Sequence, residues 1–185
     1  MSQNEDRRIR RTKKAMNAAL AELLMEKPLN KISVREIAER ADINRGTFYL
    51  HYRDVYDMVE KIQNEIFAKY HDIVNNYEQQ KNSKAIFPML VRLFQLLEEN
   101  SDLARVLVGK NGDVAFLDKL KNEIKEVCLA DAKEILHMTD EREFYYFYEY
   151  ITAGCSGLCA AWLSGGMEET PEEMAMITER FVFKK

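Results

Sequence analysis

Residues 44 to 49, Asn-Arg-Gly-Thr-Phe-Tyr, set short polar side chains beside a guanidinium and one large apolar ring. That combination suits a helix laid in a groove of duplex DNA. The planar fork of Arg45 can bond guanine O6 and N7 together, and Thr47 offers a hydroxyl and a methyl to base edges or phosphate. Gly46 has no side chain, so its backbone can approach the groove closely. A helical glycine costs about 1 kcal/mol against alanine, and close approach is a benefit that would offset it. Phe48 supplies the buried anchor that such a helix needs on its inner side. Upstream, Ser33 and Arg35 begin another expected helix, whose N-terminal dipole favours a phosphate.

The elements that must hold these residues all read as helices. Ile9, Met16, Ala19, Leu20, Leu23 and Leu24 recur at three- and four-residue spacing, which predicts a helix over about 6–26 that ends at Lys27-Pro28. Ser33-Val34-Arg35-Glu36 has the pattern of a capping box, and Val34, Ile37, Ala38 and Ala41 give the helix behind it one apolar face. Asp42-Ile43 interrupts, and Asn44, a good N-cap, opens a short helix through about Tyr49. Helix, tight turn and short helix match the helix-turn-helix motif.

A longer amphipathic helix is expected over about 54–77, capped by Asp54, and the polar, non-periodic stretch 78–84 follows it. Beyond lie an expected helix over about 86–97 with Pro88 in its first turn, a short one at 101–108, and one from Asp113 to about His137. An aromatic-rich helix from Asp140 to about Ser164 is stopped by Gly165-Gly166. Thr170-Pro171-Glu172-Glu173 then carries a strong helix-start signal. The prediction is an all-α chain of about nine helices in two domains, 1–53 and 54–185, with the fourth helix joining them.

Charge follows the same division. Residues 1–53 carry 12 Lys and Arg against 7 Asp and Glu, whereas 54–185 carry 15 against 24, so a chain of net charge −4 has a basic first third. A nucleic-acid surface belongs there. For the leader RRIRRTKK, residues 7–14, two readings stand: contact with phosphate or minor groove, and a solvated first turn. No run of about 18 apolar residues and no apolar signal segment is present, which points to a soluble cytoplasmic protein without a membrane partner. The three cysteines, Cys128, Cys155 and Cys159, form no CxxC spacing and fit a reducing compartment.

Residues 6–60, and SVREIAERADINRGTFYLHY above all, resemble the DNA-binding domain of the TetR (tetracycline repressor) family of bacterial transcription regulators. The resemblance implies a three-helix DNA-binding domain followed by a helical domain that binds a small effector and forms a dimer through its last two helices. It also implies phosphate contacts at Tyr49 and His51, which join Ser33, Arg35, Asn44, Arg45, Gly46 and Thr47 as candidate DNA-contact residues. Tyr52 occupies a similar place, but an aromatic there is expected to pack between the short helix and the next. One departure concerns the start of the fourth helix, where the family often has a lysine and this chain has Asp54-Val55-Tyr56-Asp57.

For the second half, the implied effector pocket draws on Phe87, Phe94, Phe116, Tyr145 and Phe147, although aromatics at helical spacing are more often plain core. Ala153, Gly157 and Ala161, four residues apart, form a small-residue stripe that lets another helix approach closely; with Trp162, Met174 and Ile177 they make up the expected dimer interface. Dimerisation also follows from DNA geometry, because one short helix reads only a few base pairs and two about 34 Å apart occupy successive major grooves of a near-palindromic operator. The expectation is a homodimeric repressor released by an unidentified small molecule. The alternative is an activator or co-regulator controlled by a partner protein. An enzyme is not expected: Glu149 or Asp131 near an aromatic pocket comes closest, but nucleophile–base motif, glycine-rich phosphate loop and metal-ligand spacing are all missing, and no cofactor is called for. His71 and His137 form no ligand cluster.

Overall fold

The computed structural model describes residues 3–79, 86–102, 104, 118 and 139–183. Regular structure among them is helical throughout: α1 (Gln3–Glu26), a 3-10 turn (Leu29–Lys31), α2 (Val34–Arg40), α3 (Arg45–Tyr49), α4 (Val55–Gln79), α5 (Phe87–Glu99), α6 (Glu141–Ser164) and α7 (Pro171–Phe183). α1 starts three residues before its first expected position, in a stretch with no glycine or proline to stop it. The helices expected at 101–108 and from Asp113 to His137 lie almost wholly outside the described residues. The chain divides into two compact units, Met1–Phe67 and Ala68–Lys185, and the division falls within α4.

In the first unit, Met16, Ala19, Leu20 and Leu23 of α1, Ile37 and Ala38 of α2, Phe48 of α3, and Val55, Met58 and Ile62 of α4 are buried. α1 packs on α2, and α2 on α3. Arg40 of α2 bonds Glu26 of α1 at 2.7 Å, and Lys27 pairs with Glu36. The turn between α2 and α3 is a Schellman motif: the Ile43 amide donates to the Ala38 carbonyl at 2.9 Å and the Asp42 amide to the Glu39 carbonyl at 3.3 Å. Asp42 takes the left-handed position there, with φ 52°, a place aspartate tolerates better than most non-glycine residues.

In the second unit, α5 packs against α7. Phe94, Trp162, Met174 and Ala175 form one core cluster among its described residues, with Leu90, Val91, Leu158 and Ile177 around them. The Phe94 and Trp162 rings meet edge to face at 5.5 Å, and the indole N–H donates to the Glu169 carbonyl at 2.9 Å, so the one polar atom of the tryptophan is satisfied. Gly166, at φ 92°, ends α6 and lets the Met167 amide reach the Trp162 carbonyl at 3.0 Å. Thr170 and Glu173 then exchange amide bonds at 3.2 and 2.8 Å, the reciprocal cap that starts α7. Tyr70 and Val74 of α4 pack with Leu96 of α5. No helix of the described residues is long and apolar enough to cross a membrane.

Candidate nucleic-acid interface

α3 is one and a half turns long, and every residue of it has a defined place. Asn44 caps it, its side chain accepting from the Gly46 amide at 2.8 Å. Phe48, at 0% exposure, is the inner anchor, with the Tyr49 and Tyr52 rings at 5.7 and 5.5 Å from it. Asn44, Arg45, Gly46 and Tyr49 are exposed, and Thr47 and His51 are half-buried. Tyr52 is buried, which puts it between helices, and burial pushes its hydroxyl pKa up to about 12.

Ser33 and Glu36 form the expected capping box. The Ser33 hydroxyl accepts from the Glu36 amide at 3.3 Å and donates to the Glu36 carboxylate at 2.8 Å, while the Ser33 amide donates to the same carboxylate at 3.0 Å. Both donors of Ser33 are therefore committed inside the protein. Bonds from Lys27 first, and then from Ser33, hold the Glu36 carboxyl at about 2. Arg35 is exposed, and its Nε donates to Glu39 at 2.6 Å, which leaves the other guanidinium donors for an outside acceptor. Burial, and after it the charges of Lys13 and Lys61, lower the His51 pKa, so the imidazole is neutral at pH 7 and presents an N–H rather than a charge. Arg7, Arg8, Arg10, Arg11 and Lys14 are exposed on α1, whereas Lys13 pairs with Glu65 at 2.8 Å.

Two further residues shape this region: Lys61, not singled out in the sequence, and Asp57, noted there only within the departure at the start of the fourth helix. Asp57 is a buried carboxylate whose Oδ2 accepts from the Arg53 amide at 2.9 Å and lies 3.0 Å from Lys61 Nζ, and whose Oδ1 accepts from Arg53 Nε at 2.9 Å. The Arg53 amide bond above all, then Lys61, holds its pKa at about 2. The signal was available, because Arg53, Asp57 and Lys61 stand four residues apart.

Of the described candidate pocket residues, Phe87 packs against the cluster that holds Phe94, while Tyr145 and Phe147 lie in other settings. Phe87 lines a cleft of about 840 Å³ with Lys69, Asp72, Tyr77, Arg92 and Glu99. Phe94 is core, Phe147 packs against Tyr148, Tyr145 is exposed, and Phe116 lies outside the described residues. Helical spacing alone does not separate these environments. The dimer candidates divide as well: Ala153, Gly157 and Ala161 are exposed, whereas Trp162 and Met174 are buried in their own unit and Ile177 packs beside them. The exposed face of α6 instead continues through Gly154, Tyr146 and Tyr150, the last 74% exposed, and a side chain added at Gly154 or Gly157 would meet nothing within 4 Å. Among the described residues no group of three or more histidine, cysteine or acidic side chains could hold a metal ion.

Comparison with known proteins agrees with this geometry. Residues 17–62 match the family model for bacterial regulatory proteins of the tetR family, and residues 84–184, more than half the chain, match that of a transcriptional regulator C-terminal region. A 44-residue stretch is 39% identical to the uncharacterized HTH-type transcriptional regulator YxbF of Bacillus subtilis, covering 24% of this chain and only 12% of that relative. Among solved structures, the dihydroxyacetone kinase operon activator DhaS superposes with a TM-score of 0.57 at 19% identity, over 92% of this chain and 93% of that one. The regulator FadR from Bacillus subtilis, solved with stearoyl-CoA, gives 0.59 at 17% identity over 92% and 97%. At such identities these two likenesses speak for the fold alone. The matched models, with the capped and exposed α3 that the first of them spans, place this chain in the TetR family of DNA-binding transcriptional regulators.

Proposed function

We propose that this TetR-family regulator is a homodimeric repressor that holds a near-palindromic operator through α3 and lets go when a small molecule occupies its second half. Residues 1–53 act as the DNA-binding domain and 54–185 as the effector-binding and dimerisation domain, with α4 common to both. Arg45 reads a guanine edge, Asn44 and Thr47 lie at the groove, Gly46 permits close approach, and Arg35, Tyr49 and His51 meet phosphates. Ser33 serves as the cap that fixes α2. The observation that carries this reading is the division of α3 and its cap into one fully buried ring and the exposed Asn44, Arg45, Gly46 and Tyr49.

The exposed small-residue face of α6 supports the homodimer, since two such faces can approach closely enough to bury Tyr146 and Tyr150 against a second copy. The effector reading is supported by the cleft beside Phe87 and by the FadR neighbour, whose structure contains an acyl-CoA. A ligand preferring the unproductive state by about 3 kcal/mol weakens operator binding on the order of 100-fold. Screening small molecules by thermal shift, then measuring duplex affinity with each binder, tests the switch. If every binder leaves the affinity unchanged, the switch is wrong. The DhaS neighbour is described as an operon activator, which favours a second reading, an activator controlled by a partner protein. Deleting the gene and measuring transcription of its neighbours separates the two: a repressor's targets rise and an activator's fall.

A further inference from the structure

A helix of five residues has no stability of its own, because nucleation fixes several dihedrals for each early hydrogen bond. The direction in which α3 points is therefore set by whatever holds its ends. Asn44 holds the start and Phe48 the inner side. The far end is held from α4: the Lys61 ammonium donates to the His51 carbonyl at 3.0 Å and lies 3.0 Å from Asp57 Oδ2 and 5.6 Å from the centroid of the Tyr52 ring. A cation just beyond a helix C-terminus also meets the negative end of its dipole. Asp57, with only 5% of its side chain exposed, is fixed in turn by the Arg53 amide and guanidinium. A carboxylate that deep is retained only when its bonds are made, and here both oxygens are occupied.

We infer that Asp57 and Lys61 form a latch between α4 and the end of α3, as positioning residues that set the angle of α3 on DNA without touching DNA. The inference rests on the reading of α3 as the DNA-contacting helix. Two of the ammonium's donors are taken, by a carboxylate and by a carbonyl, and an aromatic ring lies nearby, so the lysine is committed to the protein. Because Lys61 belongs to α4, any rotation of that helix is passed to the His51 carbonyl. A lysine bound instead to phosphate would release counterions on binding, which gives the two roles different signatures.

The test is equilibrium binding of the full chain, over a range of salt, to the duplex that the unmodified protein selects from a random-sequence library. Lys61→Met keeps the stem over Tyr52 and removes the donors. It should weaken binding about tenfold with the salt slope unchanged; Lys61→Arg should restore affinity to within about twofold, and Asp57→Asn with Lys61→Met should be no weaker than Asp57→Asn alone. Measurements well below each variant's unfolding temperature, on active concentrations fixed by stoichiometric titration, keep loss of fold from passing as loss of positioning. A slope shallower by about 0.9 makes Lys61 a phosphate ligand and overturns the latch. So does unchanged affinity. Arg45→Ala tests the parent reading separately: unimpaired binding there rejects α3 as the reader, whereas impaired Arg45→Ala beside unimpaired Lys61→Met rejects the latch alone.

Discussion

Gly46 is the residue whose identity the protein's own interior does not require. A Cβ added there would sit 3.5 Å from the Asn44 side-chain oxygen, an ordinary contact, and the residue is not in the left-handed region. Glycine nonetheless weakens a helix relative to alanine, and on the proposed reading the offset is close approach to DNA, where a groove wall would meet the added methyl. Gly46→Ala should therefore raise stability by about 0.5–1 kcal/mol in urea unfolding and weaken duplex binding at least about tenfold in the same preparation. Weakened folding would place the need for glycine inside the protein instead. Ser33 gives the opposite lesson. Its spacing to Glu36 made the cap legible in the sequence, and the geometry shows that the cap leaves no donor for a phosphate.

At the scale of elements, local patterns were readable and tertiary ones were not. The two capping boxes, Pro88 in the first turn of α5, and the glycine stop of α6 all depend on residues within about one turn of each other, and all stand as expected. The four-residue spacing of Arg53, Asp57 and Lys61 signals their pairing along α4, but the bond from Lys61 to the His51 carbonyl links α4 to the end of α3 across ten residues, which no periodicity encodes. α6 is apolar on two faces, so Trp162 could be assigned to either from spacing alone; packing against Phe94 decides for its own unit. The carboxyls of Glu36 and Asp57, both held at about 2, make α2 and the start of α4 sensitive to acid. A depressed folded-state pKa gives stability that is present above the unfolded value, near 4, and is lost as pH falls toward 2. Glu36→Gln should flatten the part of the acid-unfolding curve between about pH 4 and 2, read by circular dichroism. An unaltered curve would show that the capping carboxylate contributes nothing there.

At the scale of the whole molecule, one copy of α3 spans too few base pairs to single out an operator, so the proposed function depends on a second copy. The exposed face of α6 is where a substitution should separate folding from assembly. Gly157→Arg has open space around it in the single chain and should keep the helical circular-dichroism signal and a cooperative unfolding transition while giving a monomer in sedimentation. A dimer of unchanged affinity would move the interface elsewhere. The role of α3 as the reading helix is tested most directly by the set of sequences recovered from a random duplex library by the unmodified chain and by Arg45→Ala. An inverted repeat should emerge, its half-sites about 34 Å or a multiple apart, with a guanine in each half whose preference of about 1–3 kcal/mol disappears in Arg45→Ala. Recovery of no repeat, or of the same motif with the same preference by both proteins, would contradict that role.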